Sequence, residues 1–487
     1  MDLTDPGQRA ALKRRLTASY AGRPVIVGPG YLAQFASTVT ALREIGCPVL
    51  VVATGRGAGT HVPGPEECRV VEVTPPPSAT ATEELRAHDA ILHDLPADVL
   101  AAVEAFDPDR EGVWLTTPFV TADAPILGRR VLGGRPAAFL ALEDKLVAEE
   151  IWAAVGVAAA PHRVVPVDLD LLARAADEVG STAGSVWAGD NREGFHGGGD
   201  YVRWVADARD RAEAVLFFAA RCDRVRVMPF LDGVPCSIHG FVLPDGTAAL
   251  RPVELAILRD PERRRFVYGG LGTFWDPPAA DREEMRDAVR RVGEHLRTTH
   301  SYRGAFGIDG VLTEDGFRPT ELNTRFSAGA AMVTASVDGQ LFTLLQAAAV
   351  AGEEPGVTVP DLEALLPVMD ATRAGKVNAL GEGLRLGVTE QFGVDWDGAT
   401  LRRTPGDGQD PGQAVVAVAD TATGFFARLD PATLLGPGDR LAPLNVAFAA
   451  LLDQEYGVGL GRLVPAADRR SPKSAALAGE AQPQVAK

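Results

Sequence analysis

The chain has 487 residues, of which 46% are hydrophobic and 23% charged, with a formal net charge of -17. That length suggests about three domains, and the acidic balance argues against nucleic acid or an anionic membrane surface as the main partner. Four scattered cysteines (Cys47, Cys68, Cys222, Cys236) form neither a CxxC pair nor a zinc-finger spacing, so no disulfide framework or zinc site is indicated.

The N-terminus, "MDLTDPGQRAALKRRL", lacks the basic-then-apolar order of a signal peptide. The longest apolar run, around "LFTLLQAAAVAG", is too short to span a bilayer. The expectation is a reduced, cytoplasmic protein without a membrane segment. "PVIVGPGYLAQF" reads as a short strand, a Gly-Pro-Gly turn and the approach to a helix through "STVTALREIG", with "CPVLVVA" as the next strand. This is the β-α-β opening of an open α/β layer. Gly28, Gly30 and Ala33 fit a dinucleotide fingerprint, but the second strand ends in "ATGRG" with no acid to hold a ribose, so a structural turn is the preferred reading. After the Pro/Thr/Ser loop "VTPPPSATATEE", the segments "EGVWLTTPF" and "RRVLGG" carry the layer to about residue 138.

In "LEDKLVAEEIWAAVGVAAAPHRVVP", Leu142, Leu146, Glu149, Trp152 and Val155 step at helical spacing, and Gly156 is a natural stop. Lys145 stands at the start of this helix, where free amide N–H groups favour an anion. It is also the sole lysine between Lys13 and Lys376 in a chain that otherwise uses arginine, which fits a need for a compact ammonium on a phosphate. The loop of "GSVWAGDNREGFHGGGDYVRWV" follows. Gly197, Gly198 and Gly199 can present backbone N–H groups to a phosphate chain, or form a flexible hairpin with no ligand. A helix, a strand over 225–231, the turn Asp232-Gly233 and a strand over 236–242 come next, with Met228 and Phe230 offering contacts suited to a flat adenine ring.

"GAFGIDGVLTEDGFRPTELNTRF" has the pattern of a β-hairpin. A three-residue loop of Glu314, Asp315 and a left-handed Gly316 pairs Thr313 with Phe317 and sets Asp309 opposite Glu321, so that Asp309, Glu321 and Asn323 converge on one face. Two carboxylates that close repel unless a cation joins them, and two acids with an amide suit Mg²⁺ or Mn²⁺. Arg325, one step further along, is placed to stabilise the charge of a phosphoryl or acyl transfer.

In this order the parts resemble the ATP-grasp superfamily of carboxylate–amine ligases over roughly residues 23 to 350. The matching run is an α/β domain, a lysine-bearing helix, a Gly-rich loop between strands, a hinge, a strand Asp, then Glu-x-Asn-x-Arg. "RPVELAILRD", "FVYGGLGTFW" and "YRGAFGIDGVLTEDGFRPTELNTRFSAG" are most similar to the actinobacterial peptide ligases typified by the pheganomycin-forming enzyme. The resemblance implies an α/β chain with an ATP-grasp fold. Two α+β lobes (139–227 and 228–352) would clasp ATP, an open α/β pre-grasp domain (1–138) would precede them, and a small C-terminal α+β domain (353–463) would follow. It further implies ATP held by Lys145, Gly197, Gly198, Gly199, Met228, Phe230 and Asp232, and Mg²⁺ (or Mn²⁺) on Asp309, Glu321 and Asn323. Arg325 would be catalytic, and Arg251 and Glu254 would contact substrate unless they form a salt-linked strand edge.

The implied activity is ADP-forming ligation of an amino-acid-like carboxylate to an amine or peptide N-terminus through an acyl phosphate, with a homodimer as one expected assembly. Related ligases usually carry a second phosphate-binding lysine before the glycine loop. Here that stretch is "SVWAGDN", which leaves Arg192, His196 or Arg203 to supply the charge, or Lys145 to carry it alone. A bicarbonate-using carboxylase and a nucleotide-binding protein with little turnover are the alternatives. Arg259 and "ERRR" (Glu262 to Arg265) read as a lid over phosphates or a peptide carboxylate or, the preferred reading, as a solvated turn. The tail from about residue 464 is small and polar and is expected to be disordered.

Overall fold

A computed structural model describes residues 1–59, 61–405, 412–421 and 423–468. Five parallel strands in the order 69–72, 49–55, 25–31, 113–115, 130–132 build the first sheet. Val25, Ile26, Val27, Val51 and Val52 are fully buried, as both faces of a parallel layer require. The Gly-Pro-Gly stretch is not a turn: the strand Val25–Tyr31 runs through it, with a register shift between Val27 and Gly30. The Gly28 carbonyl accepts from Trp114 Nε1 at 2.9 Å, which ties the stretch to the next strand.

A four-stranded antiparallel sheet (163–166, 224–229, 185–189, 202–205) forms a smaller layer. The third sheet has eleven strands. Its path begins with the hairpin Gly316–Asn323 and Gly304–Thr313, continues through Val234–Leu243, Val253–Asp260 and Arg265–Gly272, and passes by pairing of Gly270 with Val377 into the C-terminal strands. The C-terminal segment thus has its own apolar core, around Phe392, Val416, Phe425 and Phe448, but shares a sheet with the preceding lobe. The helix Ala279–Thr299 lays Met285, Val289, Val292 and Leu296 on that sheet against Phe306 and Ile308. This apolar stripe recurs at three- and four-residue steps. The N-terminal helix Pro6–Thr17 packs with the helix Gly339–Val350, and Lys13 reaches Asp338 at 2.8 Å.

The lysine helix runs from Lys145 to Val155, capped by Asp144, whose carboxylate accepts from Leu146 N at 2.8 Å. It ends at Gly156 with φ +67°, a left-handed conformation that a side chain would disfavour. Trp152, fully buried, joins it to the core beneath the hairpin. The tail differs from expectation at its start: Arg259 and Val464 exchange backbone hydrogen bonds at 2.9 Å, and Ala466 is buried. The remainder of that tail, from 469, lies outside the described residues. All four cysteines are free and buried. No helix among the described residues is long and apolar enough to cross a membrane.

His88 is buried, with Nε2 3.1 Å from Thr54 Oγ1, and burial pulls its pKa from 6.5 down to about 4. The unfolded chain takes up this proton near pH 6.5 while the folded chain resists it, so stability falls as pH drops from about 6.5 to about 4, by about 1.4 kcal/mol per pH unit. Urea titrations at pH 7.5 and pH 5 should show a smaller loss for His88→Gln than for the native chain.

Candidate active site

The hairpin turns on two residues, Glu314 and Asp315, with Thr313 opposite Gly316, and not on the three-residue loop expected. Left alone, that register would set Asp309 opposite Thr320. A bulge at Thr320 inserts one residue and restores the pairing of Asp309 with Glu321. Asn323, two residues on, shares the face of Glu321 and donates from Nδ2 to Asp309 Oδ2 at 3.0 Å. The predicted convergence of the three side chains therefore stands, by a different route. The bulge has a second effect, because the Thr320 carbonyl accepts from Arg226 Nη1 at 2.9 Å.

These side chains line a cavity of about 410 Å³ between the small sheet, the hairpin and the strands 234–272. Its walls are mostly apolar: Val186, Met228, Phe230, Leu231, Leu255, Phe266 and Val311 among them. The polar groups gather at one side. Lys145, 4% exposed, places Nζ 3.1 Å from Glu321 Oε2. Burial first, and then the neighbouring Glu321 charge, push Asp309 up to about 6. Asn323 Oδ1 is buried without a hydrogen-bond partner among the described residues. Two carboxylates, one held back from ionising, beside an idle amide oxygen make a donor set of hard oxygens that suits Mg²⁺ or Mn²⁺. The described residues contain no cluster of three or more His, Cys, Asp or Glu side chains able to hold a metal, and the oxygen set here is two carboxylates with an amide.

Gly197, Gly198 and Gly199 also line the cavity. Gly198 (φ +64°) and Gly199 (φ +82°) are left-handed, which only glycine adopts without strain. The loop does not hang free. Thr82 Oγ1 and Gly197 exchange hydrogen bonds (3.1 and 3.2 Å), Thr82 N donates to Asp200 at 3.2 Å, and Arg86 Nε donates to the Phe195 carbonyl at 2.6 Å. All of these partners come from one helix, Ala81–His93, beside the parallel sheet.

No family model matches the chain, and no curated protein matches its sequence at a significant level. Solved structures are similar in fold. The biotin carboxylase of Campylobacter jejuni, in a β,γ-ATP complex, shares 12% identity over 90% of this chain and 92% of that chain, with a TM-score of 0.50. An ADP complex of an N5-carboxyaminoimidazole ribonucleotide synthetase shares 13% identity over 90% of this chain and 98% of its own, at a TM-score of 0.49. An L-amino acid ligase from Bacillus licheniformis shares 15% over 84% and 93%, at 0.47.

The chain has an ATP-grasp fold. Within it, the expected nucleotide and metal residues Lys145, Gly197, Gly198, Gly199, Met228, Phe230, Asp309, Glu321 and Asn323 all meet at the cavity, and so does Arg325. Asp232 does not. It is drawn aside by Arg259 at 2.9 Å, and Arg259 itself forms part of the wall, 4.7 Å above the Phe230 ring. Of "ERRR", Arg263 and Arg265 bind Asp260 at 3.3 and 3.2 Å and the Leu460 carbonyl at 3.1 and 3.0 Å, and Arg264 lies 5.3 Å over the Trp204 ring.

The substrate contact expected of Arg251 and Glu254 is corrected to a structural role. Arg251, 1% exposed, binds Asp276 at 2.9 Å and the Met369 carbonyl at 3.2 Å. Glu254, fully buried, accepts from Arg440 Nε at 2.8 Å and from Leu441 N at 2.7 Å, which caps the helix Leu441–Tyr456. Neither lines the cavity. The side chains expected to replace the absent lysine are also engaged elsewhere. Arg192 binds Asp223 at 3.2 Å and the Cys222 carbonyl, Arg203 stacks 3.6 Å over Phe217, and burial drives His196 to about 2, leaving it neutral.

Sequence reasoning missed Arg226. It is 2% exposed, lines the cavity, pairs with Glu149 at 2.6 Å, and stands directly opposite Ala188, in the stretch where the lysine was sought. Its Nε has no hydrogen-bond partner among the described residues. The missed signal was periodicity, since Arg224 and Arg226 alternate with Val225 and Val227 in one strand. Lys145→Ala should raise the ATP requirement about tenfold, the scale of one charge-assisted hydrogen bond. Arg226→Met should do the same, and Arg192→Ala should not. Nucleotide titration by calorimetry checks all three.

Proposed function

We propose that this protein is an ATP-dependent ligase that joins a carboxylate to an amine, most simply forming a peptide bond between an amino-acid-like acid and an amine or peptide N-terminus. Residues 139–227 and 228–352 would act as the two lobes that clasp ATP, between a pre-grasp domain (1–138) and a C-terminal domain (353–463). The observation that carries the proposal is the meeting, in one largely apolar cavity, of a buried ammonium, a glycine loop and paired carboxylates with a guanidinium beyond them. The "ELNTRF" run and its neighbours favour the pheganomycin-type peptide ligases within this class.

The chain's own groups account for the chemistry. Adenine would lie in the slot of Val186, Met228, Phe230 and Leu231, and the phosphates would run under Gly197–Gly199 towards Lys145 and Arg226. Lys145 leaves Glu321 for the phosphates. Mg²⁺, when bound by Asp309, Glu321 and Asn323, would offset charge on the phosphate oxygens. A carboxylate oxygen of the substrate attacks the γ-phosphorus while the bond to the β–γ bridging oxygen breaks and ADP departs. The amine nitrogen then attacks the acyl carbon, the carbon–oxygen bond to phosphate breaks, and the nitrogen loses one proton. Arg325 offsets negative charge in both steps. The closed glycine loop keeps water from the acyl phosphate.

Purified protein with ATP and Mg²⁺ should release ADP and phosphate only when a carboxylate and an amine are both present, with a product whose mass is their sum less water. Turnover that needs bicarbonate instead would establish the carboxylase alternative, and nucleotide binding without turnover under any pairing would establish a binding protein. Asp309→Asn, Glu321→Gln and Asn323→Ala should each reduce ADP release about a hundredfold, the loss of about 2.7 kcal/mol of transition-state stabilisation. Arg325→Lys should keep nucleotide affinity while losing most turnover, because an ammonium cannot reproduce the guanidinium fork.

A further inference from the structure

One buried side chain on the cavity wall takes no part in holding nucleotide or metal. His239 lies in the strand Val234–Leu243, is 1% exposed, and lines the cavity together with Asp309 and Asn323. The strand register sets two rows of residues across three strands: Ser237, Asp309 and Glu321 in one, His239, Gly307 and Asn323 in the next. Directly paired residues share a face, so both rows belong to the face that lines the cavity.

Ser237 fixes which nitrogen of the imidazole carries the proton. Its hydroxyl donates to the Asp309 carboxylate, which when ionised can only accept, and a hydroxyl has a single proton to give. Ser237 Oγ therefore accepts from His239 Nε2 at 3.1 Å. Nδ1 keeps its lone pair, and it is buried with no hydrogen-bond partner among the described residues. Burial pulls the ring's pKa down to about 3, so the imidazole is neutral near pH 7 and Nδ1 stays an acceptor. A buried acceptor left unmet is costly.

Two glycines keep space for the ring. A Cβ on Gly329 would stand 2.3 Å from His239 Cε1, and one on Gly307 would stand 3.0 Å from Cδ2. Neither glycine has a positive φ, so room and not backbone conformation explains them. Gly307 also leaves the middle of its row bare. His239 and Asn323 bound that gap from either side, two strand spacings or about 10 Å apart at Cα. A group that meets Nδ1 must donate a hydrogen, and the carboxylates of the adjacent row repel an anion there. An amine N–H satisfies both conditions.

We propose that His239 Nδ1 accepts an N–H of the amine substrate and so orients its nitrogen beside the metal-binding pair, with Ser237 as the positioning residue that holds the ring in the required tautomer. The ring stays neutral throughout and acts by orientation, fixing the direction of the amine nitrogen relative to the acyl carbon. The ligase reading supplies only the identity of the donor as a substrate amine. The acceptor itself rests on the hydrogen-bond chain from Asp309 through Ser237.

The test uses the full-length protein with methylammonium chloride as the probe and tetramethylammonium chloride, which has the charge but no N–H, as the control. Methylammonium should shift the Nδ1 nitrogen resonance of His239 saturably and raise the melting temperature, and tetramethylammonium should do neither. His239→Asn leaves a carboxamide near the place of Nδ1 and loses the donor to Ser237, whereas His239→Gln keeps a donor near the place of Nε2 and loses the acceptor. The asparagine variant should therefore keep the methylammonium response and the glutamine variant should lose it. In turnover, His239→Gln should raise the KM for the amine about tenfold or more and leave those for ATP and carboxylate within about twofold, with His239→Asn near the native values. The reverse order, glutamine near native and asparagine impaired, is the mark of a ring that only braces Ser237, and it overturns the proposal. So does an equal response of the native protein to both cations. Ser237→Ala, which leaves the ring in place, should weaken the methylammonium response, and it decides the matter if neither His239 variant folds. Failure of every carboxylate and amine pairing to release ADP, with the methylammonium response intact, would reject the ligase reading and leave the acceptor standing.

Discussion

Asp309 and Glu321 face each other across two hydrogen-bonded strands, and Lys145 stands 3.1 Å from the second of them. The strand pairing denies the carboxylates room to separate, burial lifts Asp309 to about 6, and Asn323 adds an amide oxygen with no partner among the described residues. One ammonium answers two acids. A divalent ion arriving with a polyphosphate would satisfy the acids and release the lysine to the phosphates, so one exchange of partners could switch the site from resting to loaded.

The opposite imbalance lies two residues beyond the end of the strand Gly316–Asn323. Arg325 shares Glu143 with Arg135, so the cavity wall carries a deficit of positive charge at the hairpin and a surplus next to it. Such a dipole of unmet charge has little use in a purely structural core, where charges are costly unless paired. The apolar walls around both raise the strength of each attraction by excluding water.

The parallel sheet contributes to this site from outside the grasp. The helix Ala81–His93 fastens the glycine loop through Thr82 and Arg86, and Phe119 meets Phe195 with ring centres 5.6 Å apart. On its other side, Glu84 of the same helix accepts from Thr423, just before the strand Gly424–Leu429, and Ala81 N donates to Glu382, at the end of the strand Gly375–Glu382, at 3.3 Å. Loop, parallel sheet and C-terminal sheet are thereby linked through one helix. Glu254, at the heart of the large lobe, does for the helix Leu441–Tyr456 what Asp144 does for the lysine helix, turning a carboxylate on free amide N–H groups.

Local chemistry made much of this legible in the amino-acid order alone. The helix from Lys145 to a left-handed Gly156, the hairpin that faces Asp309 with Glu321, and the layered α/β plan follow from periodicity, caps and turn residues, which act over a few positions. The hairpin's route to its register was not legible. A two-residue turn with a bulge and a three-residue turn without one give the same pairing, and only the packed strands choose between them. Charge partners were less legible still. Arg251, Glu254 and Asp232 looked like site residues because nothing in sequence says which distant group will neutralise them, and each found its partner 25 or more residues away. Arg226 and Arg135 were overlooked for the same reason. Whether an arginine is a strand-edge charge or a buried cation depends on what folds over it. The sequence by itself determined the local elements and the residue types able to carry the chemistry, whereas the tertiary structure decided which charges meet, because Coulomb interactions follow distance in space and not separation along the chain.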